Sequence, residues 1–195
     1  MINRISKEIE IAYKSGLYVS ALSLALMLPD ICSKAEYPNE NFVGVRYKKW
    51  FNEYMGDYEK SPIEDGIPTP YLSGEVVYSL RCKVLHSGTP NIETDKIHND
   101  DCKVDRFIIN TNYADSNSSV GSCSMLICDS ENNIYHKSFT LNLHDFCKKI
   151  TRIAKSYYRS NKEKFDFIEY ELVHSDGQVV HDFMLFKQPE ESNHE

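Results

Sequence analysis

The chain has 195 residues, enough for one ordinary domain or two very small ones. At 41% hydrophobic residues it has material for a core without disulfide staples. Its formal charge of −7 argues against broad, sequence-blind nucleic-acid binding, which needs a basic surface, but leaves room for a local basic patch.

The six cysteines form no CxxC pair and have no histidine at finger-like spacing, so they are neither a disulfide framework nor a zinc site. No basic-then-apolar leader opens the sequence. The longest apolar stretch, residues 17–28, is shorter than the roughly 20 residues that cross a bilayer. The expectation is a cytoplasmic protein with no membrane attachment, no metal and no cofactor.

Residues 3–14 predict a first helix, with Ile5, Ile9 and Tyr13 four apart and Gly16 as its stop. Residues 17–28 are apolar on nearly every side, which predicts a helix buried all round; Pro29 should break or bend it. In residues 41–54, Val43, Tyr47, Trp50, Phe51 and Tyr54 share one helical face. Residues 56–70 carry three prolines and two glycines and predict a loop.

Residues 71–87 predict the best-punctuated helix. Ser73 is its cap, Leu72 and Val77 the staple across that cap, Glu75 the complement to the positive dipole end, and Gly88 with Pro90 the stop. The polar run 87–103 is a connection. Residues 107–110, 120–128 and 134–139 then read as strands, the last two joined by a turn at 129–133.

Residues 143–160 return to helix, with Leu143, Phe146, Cys147, Ile150, Ile153, Ala154 and Tyr157 facing inward. Residues 165–173 and 179–186 predict a final hairpin turning at Asp176-Gly177, before a polar tail. This order predicts one α+β domain over 1–195. Its first half, 1–88, is a helical bundle; its second, 103–187, is an antiparallel β-sheet with one long helix.

The candidate chemistry lies in the helix at 71–87. On a wheel of about 100° per residue, Val77, Leu80 and Val84 form the apolar stripe, and Arg81 falls only about 40° from Val77. A guanidinium there is costly unless paired. His86 lies about 140° from Arg81 on the last turn, with Tyr78, Cys82 and Leu85 on the arc between them. A site using both residues would sit over Cys82. The competing account is packing: Arg81 pairs with an internal carboxylate such as Asp30 or Glu53, and His86 binds the last carbonyls of its own helix.

Arg81-Cys82-Lys83-Val84-Leu85-His86 has the R-x4-H form, late in a helical N-terminal half. It resembles the HEPN superfamily, whose R-x4–6-H motif marks metal-independent ribonucleases of toxin–antitoxin, CRISPR-associated and phage-defence systems. The stretches LMLPDIC, RYKKWFNEY and YSLRCKVLHSG also resemble a recurring family of uncharacterised bacterial proteins. The superfamily resemblance covers about the first 90 residues, and its motif consists of only two residues.

The resemblance implies a homodimer in which motif helices from both subunits form a shared RNA cleft. His86 would be the general base or acid and Arg81 the phosphate holder, with Tyr78, Cys82 and Lys83 nearby as substrate-binding residues and a 2′,3′-cyclic phosphate as the product. One departure stands out. Active members usually carry a polar Asn, Asp or His immediately after the arginine, and here it is Cys82, a weak donor.

Lys148, Arg152, Lys155 and Arg159, at spacings of four, three and four, form a single basic stripe on the helix at 143–160. The plain reading is a solvated helix face; the functional one is a footprint for a phosphate backbone. The other histidines are scattered, with no i, i+3 or i, i+4 pair on a helix, so a metal site has little support. A Cys82 nucleophile beside Lys83 and His86 matches no other thiol-enzyme feature of the sequence.

Two functions follow as expectations. One is a HEPN-type ribonuclease acting on RNA in a bacterial or phage-borne defence or toxin system. The other is a non-catalytic interaction module, favoured by Cys82 and the net acidity, whose β-rich half would recognise a protein partner.

Overall fold

The computed structural model describes residues 1–59, 71–88, 97, 104–111, 122–128, 134–167, 173 and 175. It is an α+β arrangement: helices first, then a small sheet, then a long helix. Helix α1 (Ile2–Lys14) buries Ile2, Ile5, Ile9, Ala12 and Tyr13, the face that the four-residue spacing predicts. Helix α2 (Tyr18–Glu36) is the central element of the bundle.

Two expectations about α2 are corrected. The helix continues through Pro29 to Glu36 rather than ending there. Pro29 has no N–H for the Ala25 carbonyl, yet the apolar residues on either side of it are held by the surrounding core. Nor is α2 buried all round. Leu22, Ala25, Leu26 and Leu28 are within the core, but Leu17 just before the helix and Val19 in its first turn are 57% and 69% exposed.

Helix α3 (Val43–Tyr54) buries Tyr47, Trp50 and Phe51 completely, and Tyr47 donates its hydroxyl to the Leu26 carbonyl of α2 at 3.1 Å. The expected loop at 56–70 opens instead with a helical turn, α4 (Gly56–Glu59), fastened by Lys149 Nζ on Glu59 Oε1 at 3.0 Å. The rest of that loop lies outside the described residues.

Helix α5 (Gly74–Ser87) has the punctuation its sequence predicts. Ser73 Oγ accepts the Val76 N–H at 3.3 Å, Leu72 and Val77 are fully buried, and Gly88 ends the helix in the left-handed region at φ 64°. Its start is tied to α3 by the Gly74 N–H, which donates to Asn52 Oδ1 at 2.7 Å. In the connection that follows, Ile97 and Val104 are core residues.

The three strands are β1 (Arg106–Asn110), β2 (Cys123–Cys128) and β3 (Ile134–Asn142), in the order β1-β3-β2. The β2–β3 pair is antiparallel as expected, whereas β1 runs parallel to β3, from Arg106 opposite Ser138 to Asn110 opposite Asn142. The sheet is therefore mixed, not antiparallel. The chain leaves β1 on one side of β3 and returns on the other as β2, a crossover that strand patterning does not encode.

Helix α6 (Leu143–Ser160) starts directly from β3 on an Asn142 cap, whose Oδ1 accepts the Asp145 N–H at 3.0 Å. It does not belong to the β-rich half by packing: it lies against α1 and α2 and completes the helical bundle. Of its predicted inward residues, all but the half-buried Ile153 are buried. The following segment is a 3-10 turn (Lys162–Phe165), so the strand expected from Phe165 does not begin there. Phe165 instead packs its ring on Tyr157 and Tyr158. Most of the predicted final hairpin falls outside the described residues. No helix among those described is long and apolar enough to cross a membrane.

Candidate functional site

Arg81 leaves α5 beside the apolar stripe and turns toward α2. Its Nε donates to Asp30 Oδ2 at 2.9 Å and its Nη2 approaches the same oxygen at 2.7 Å. Both side chains are mostly covered, 19% exposed for Arg81 and 17% for Asp30. Burial pulls the guanidinium pKa down, but the charge and hydrogen bond of Asp30 outweigh it, so the net shift is upward. Of the two carboxylates named by the packing account, Asp30 is the partner; Glu53 instead accepts the Tyr37 hydroxyl at 2.5 Å.

The third nitrogen of Arg81 is not used by Asp30. Nη1 stands 3.2 Å from Nε2 of His86, which is exposed on the last turn of α5. A guanidinium has donors and no acceptor, so in this contact the imidazole must offer the lone pair of Nε2 and carry its hydrogen on Nδ1. The 140° separation on the wheel is bridged by the length of the arginine side chain. The three residues thus form a chain from a covered carboxylate to an exposed imidazole: Asp30, Arg81, His86.

Tyr78 and Cys82, one turn apart, flank this chain. The Tyr78 ring stacks at a tilt on Tyr47, with centroids 5.3 Å apart. Burial first, and then the neighbouring Cys82, raise the Tyr78 pKa; burial with the Asp30 charge does the same more strongly for Tyr47. Both phenols therefore stay protonated as hydrogen-bond donors at neutral pH. Cys82 is half-buried with a free thiol. Lys83 sits about 200° around the helix from Arg81, half-buried and engaged in interactions of its own, so it is not brought to the pair.

The basic stripe lies elsewhere. Lys148, Arg152, Lys155 and Arg159 line a cleft of 670 Å³ walled by α1 and α6, with no lining residue from α5 and none from the Asp30 turn. The structure therefore does not join the stripe to the Arg81–His86 pair. It joins it to Lys7, Glu10 and Lys14 of α1, which the sequence reading did not single out. The available signal was weak: two lysines seven residues apart on the polar face of an amphipathic helix.

Among the described residues, no group of three His, Cys, Asp or Glu side chains is placed to hold a metal. Comparison of the chain with protein-family models, with curated proteins and with solved structures finds no match.

Proposed function

We propose that the protein is a metal-independent, HEPN-like ribonuclease whose catalytic pair is Arg81 and His86. The observation that carries this reading is the 3.2 Å approach of Arg81 Nη1 to His86 Nε2 at an exposed helix end. Asp30 fixes the guanidinium through two nitrogens and leaves the third facing the imidazole.

On this reading the events run in a fixed order. A phosphate oxygen of RNA takes the Nη1 hydrogen that His86 now accepts, which frees Nε2 as a base. His86 removes the proton of a ribose 2′-hydroxyl, and that oxygen attacks the adjacent phosphorus. The 5′-oxygen leaves with a proton, giving a 2′,3′-cyclic phosphate and a 5′-hydroxyl end. Arg81 carries the extra charge of the five-coordinate phosphorus. A second copy of the chain, presenting its own α5, would supply the opposite wall of the RNA cleft and the acid for the leaving oxygen.

The test is cleavage of single-stranded RNA in EDTA. His86 is exposed, so His86→Ala should keep its melting temperature and lose activity by about 10²-fold or more. A His86→Ala preparation that cleaves as well as the parent ends the reading.

A second reading is supported by the Arg81–Asp30 ion pair itself. A guanidinium spent on a covered carboxylate, with Cys82 next to it, also suits a scaffold that binds a protein partner without catalysis. In that case purified protein leaves RNA intact, and Arg81→Ala costs stability only.

A further inference from the structure

Six cationic side chains of the α6 segment, Lys162 aside, divide into two kinds. Lys149 and Lys164 fasten the fold, the first on Glu59 at 3.0 Å and the second on Glu36 at 2.7 Å. Lys148, Arg152 and Arg159 are exposed and make no ion pair with any described residue, and Lys155 reaches only the field of Glu10. The second kind, and not the first, faces the cleft between α1 and α6.

Lys7 and Lys14 of α1 line the same cleft, so among the described lining residues there are six cations and one carboxylate, Glu10. Glu10 is already saturated. Lys14 Nζ lies 2.7 Å from one of its oxygens and Lys7 Nζ 3.9 Å from the other. The Lys14 hydrogen bond, with the charges of Lys14, Lys7 and Lys155, holds its pKa below the ordinary carboxylate value. A surplus of positive charge in a chain of net charge −7 is a local feature, and it is unfavourable until an anion enters.

The shape of the surplus says which anion. At 1.5 Å per residue, Lys148 to Arg159 extends about 16 Å along α6, in steps of about 4.5 to 6 Å. One phosphate would meet one or two of these groups; a run of phosphates meets all four. Among the described lining residues the two rings, Tyr13 and His144, lie against each other at 5.2 Å, and Tyr13 is buried and donates its hydroxyl to the Thr111 carbonyl at 3.0 Å, so neither forms an open stacking platform. A site of this kind reads backbone charge and not base identity.

We infer that the α1–α6 cleft is a binding groove for a single-stranded phosphodiester backbone, separate from the Arg81–His86 pair and indifferent to sequence. The choice of RNA as the natural strand rests on the ribonuclease reading above; the groove itself does not. Its role in that reading is to hold a flank of the strand while another part of the molecule cuts it.

The test uses the full chain and a fluorescein-labelled oligouridylate, with binding followed by anisotropy across a salt series. The triple variant Arg152→Ser/Lys155→Ser/Arg159→Ser should bind at least tenfold more weakly at low salt. The slope of log affinity on log salt should fall by about 2, at about 0.7 per lost phosphate contact. Lys7→Ser/Lys14→Ser, on the opposite wall, should weaken binding in the same direction, which guards against a folding defect in α6. Unchanged affinity and salt slope in both wall variants overturn the groove. A parent protein that ignores the oligonucleotide but binds phosphatidylserine vesicles or an acidic protein overturns it too. Binding that needs the groove, without any cleavage, would sink the nuclease reading and leave the groove standing.

Discussion

Arg81 gives two of its nitrogens, Nε at 2.9 Å and Nη2 at 2.7 Å, to one oxygen of Asp30, whose other oxygen is buried without a hydrogen-bond partner among the described residues. This ion pair is lopsided, and its consequences for stability can be separated from any role in catalysis. Removing one partner leaves the other covered and uncompensated. Asp30→Ala and Arg81→Ala should each cost about 2–3 kcal/mol, somewhat below a fully buried pair because both side chains keep some solvent. The double variant Asp30→Leu/Arg81→Met should recover most of that loss, since an apolar pair suits the site as well. Urea denaturation of all three checks this, and additive losses in a double-alanine variant would show that the two groups are not coupled.

The same pair shows where sequence reasoning reaches and where it stops. The spacing of Val77, Leu80 and Val84 places Arg81 at the margin of an apolar stripe, and that alone predicts a partner. Which carboxylate answers is fixed by how α2 passes α5, and that in turn depends on α2 continuing through Pro29. Local rules read a proline as a stop; packing on both sides of it overrides them. The ends of α5 are legible because Ser73 and Gly88 act within a few residues of themselves. The parallel placement of β1 and the joining of α1 to α6 are not, because each unites segments whose patterns carry no mark of one another. The basic stripe was visible from its periodicity, and the wall it faces was not.

Gly88 offers a clean measure of how far the end of α5 depends on its stop. Its φ is +64°, its N–H donates to the Val84 carbonyl at 3.2 Å, and among the described residues beyond its chain neighbours a Cβ added there meets no atom within 4 Å. No described residue beyond its chain neighbours would crowd a side chain there. Gly88→Ala should cost about 1 kcal/mol from the left-handed backbone alone, and Gly88→Asn distinctly less. Chemical denaturation of the two variants checks the order. Equal losses would mean that the turn relaxes into another conformation. On the proposed ribonuclease reading, Gly88→Ala should also lower cleavage, because His86 is two residues away.

Gly44 makes the complementary case, in which space and not backbone decides. A Cβ at this position would stand 2.8 Å from Cε1 of Tyr78. Gly44→Ala must push the ring off Tyr47, and because Tyr78 is only half-buried the ring can swing outward. The expected cost is about 1 kcal/mol, at the low end for overpacking. Tyr78→Ser in the same chain should remove that cost, so the two substitutions should be markedly non-additive. Additive losses would place the strain of Gly44→Ala somewhere other than the ring.

Two carboxylates fasten the α6 segment to the rest of the fold, and their pH dependences should have opposite signs. Glu36 of α2 accepts from Tyr157 at 2.6 Å and from Lys164 at 2.7 Å. Burial raises its pKa, but those hydrogen bonds and the Lys164 and Lys49 charges outweigh it, so the net shift is below the ordinary 4.5. A group whose folded value is the lower one stabilises the fold above the unfolded value and loses that contribution as pH falls. Glu59 differs: burial is its dominant influence, exceeding the Lys149 hydrogen bond, and its pKa rises. Its charged form opposes folding near neutrality, an effect that fades as pH falls through the raised folded value and is gone below the unfolded one. Glu36→Gln should therefore lose about 1 kcal/mol at neutral pH and converge on the parent well below pH 4.5. In Glu59→Gln the parent's gain in relative stability on acidification through that region should disappear. Denaturant midpoints measured from neutral pH down to about 3 decide the matter. Parallel curves for parent and both variants would mean that neither carboxylate senses its partners in the folded state.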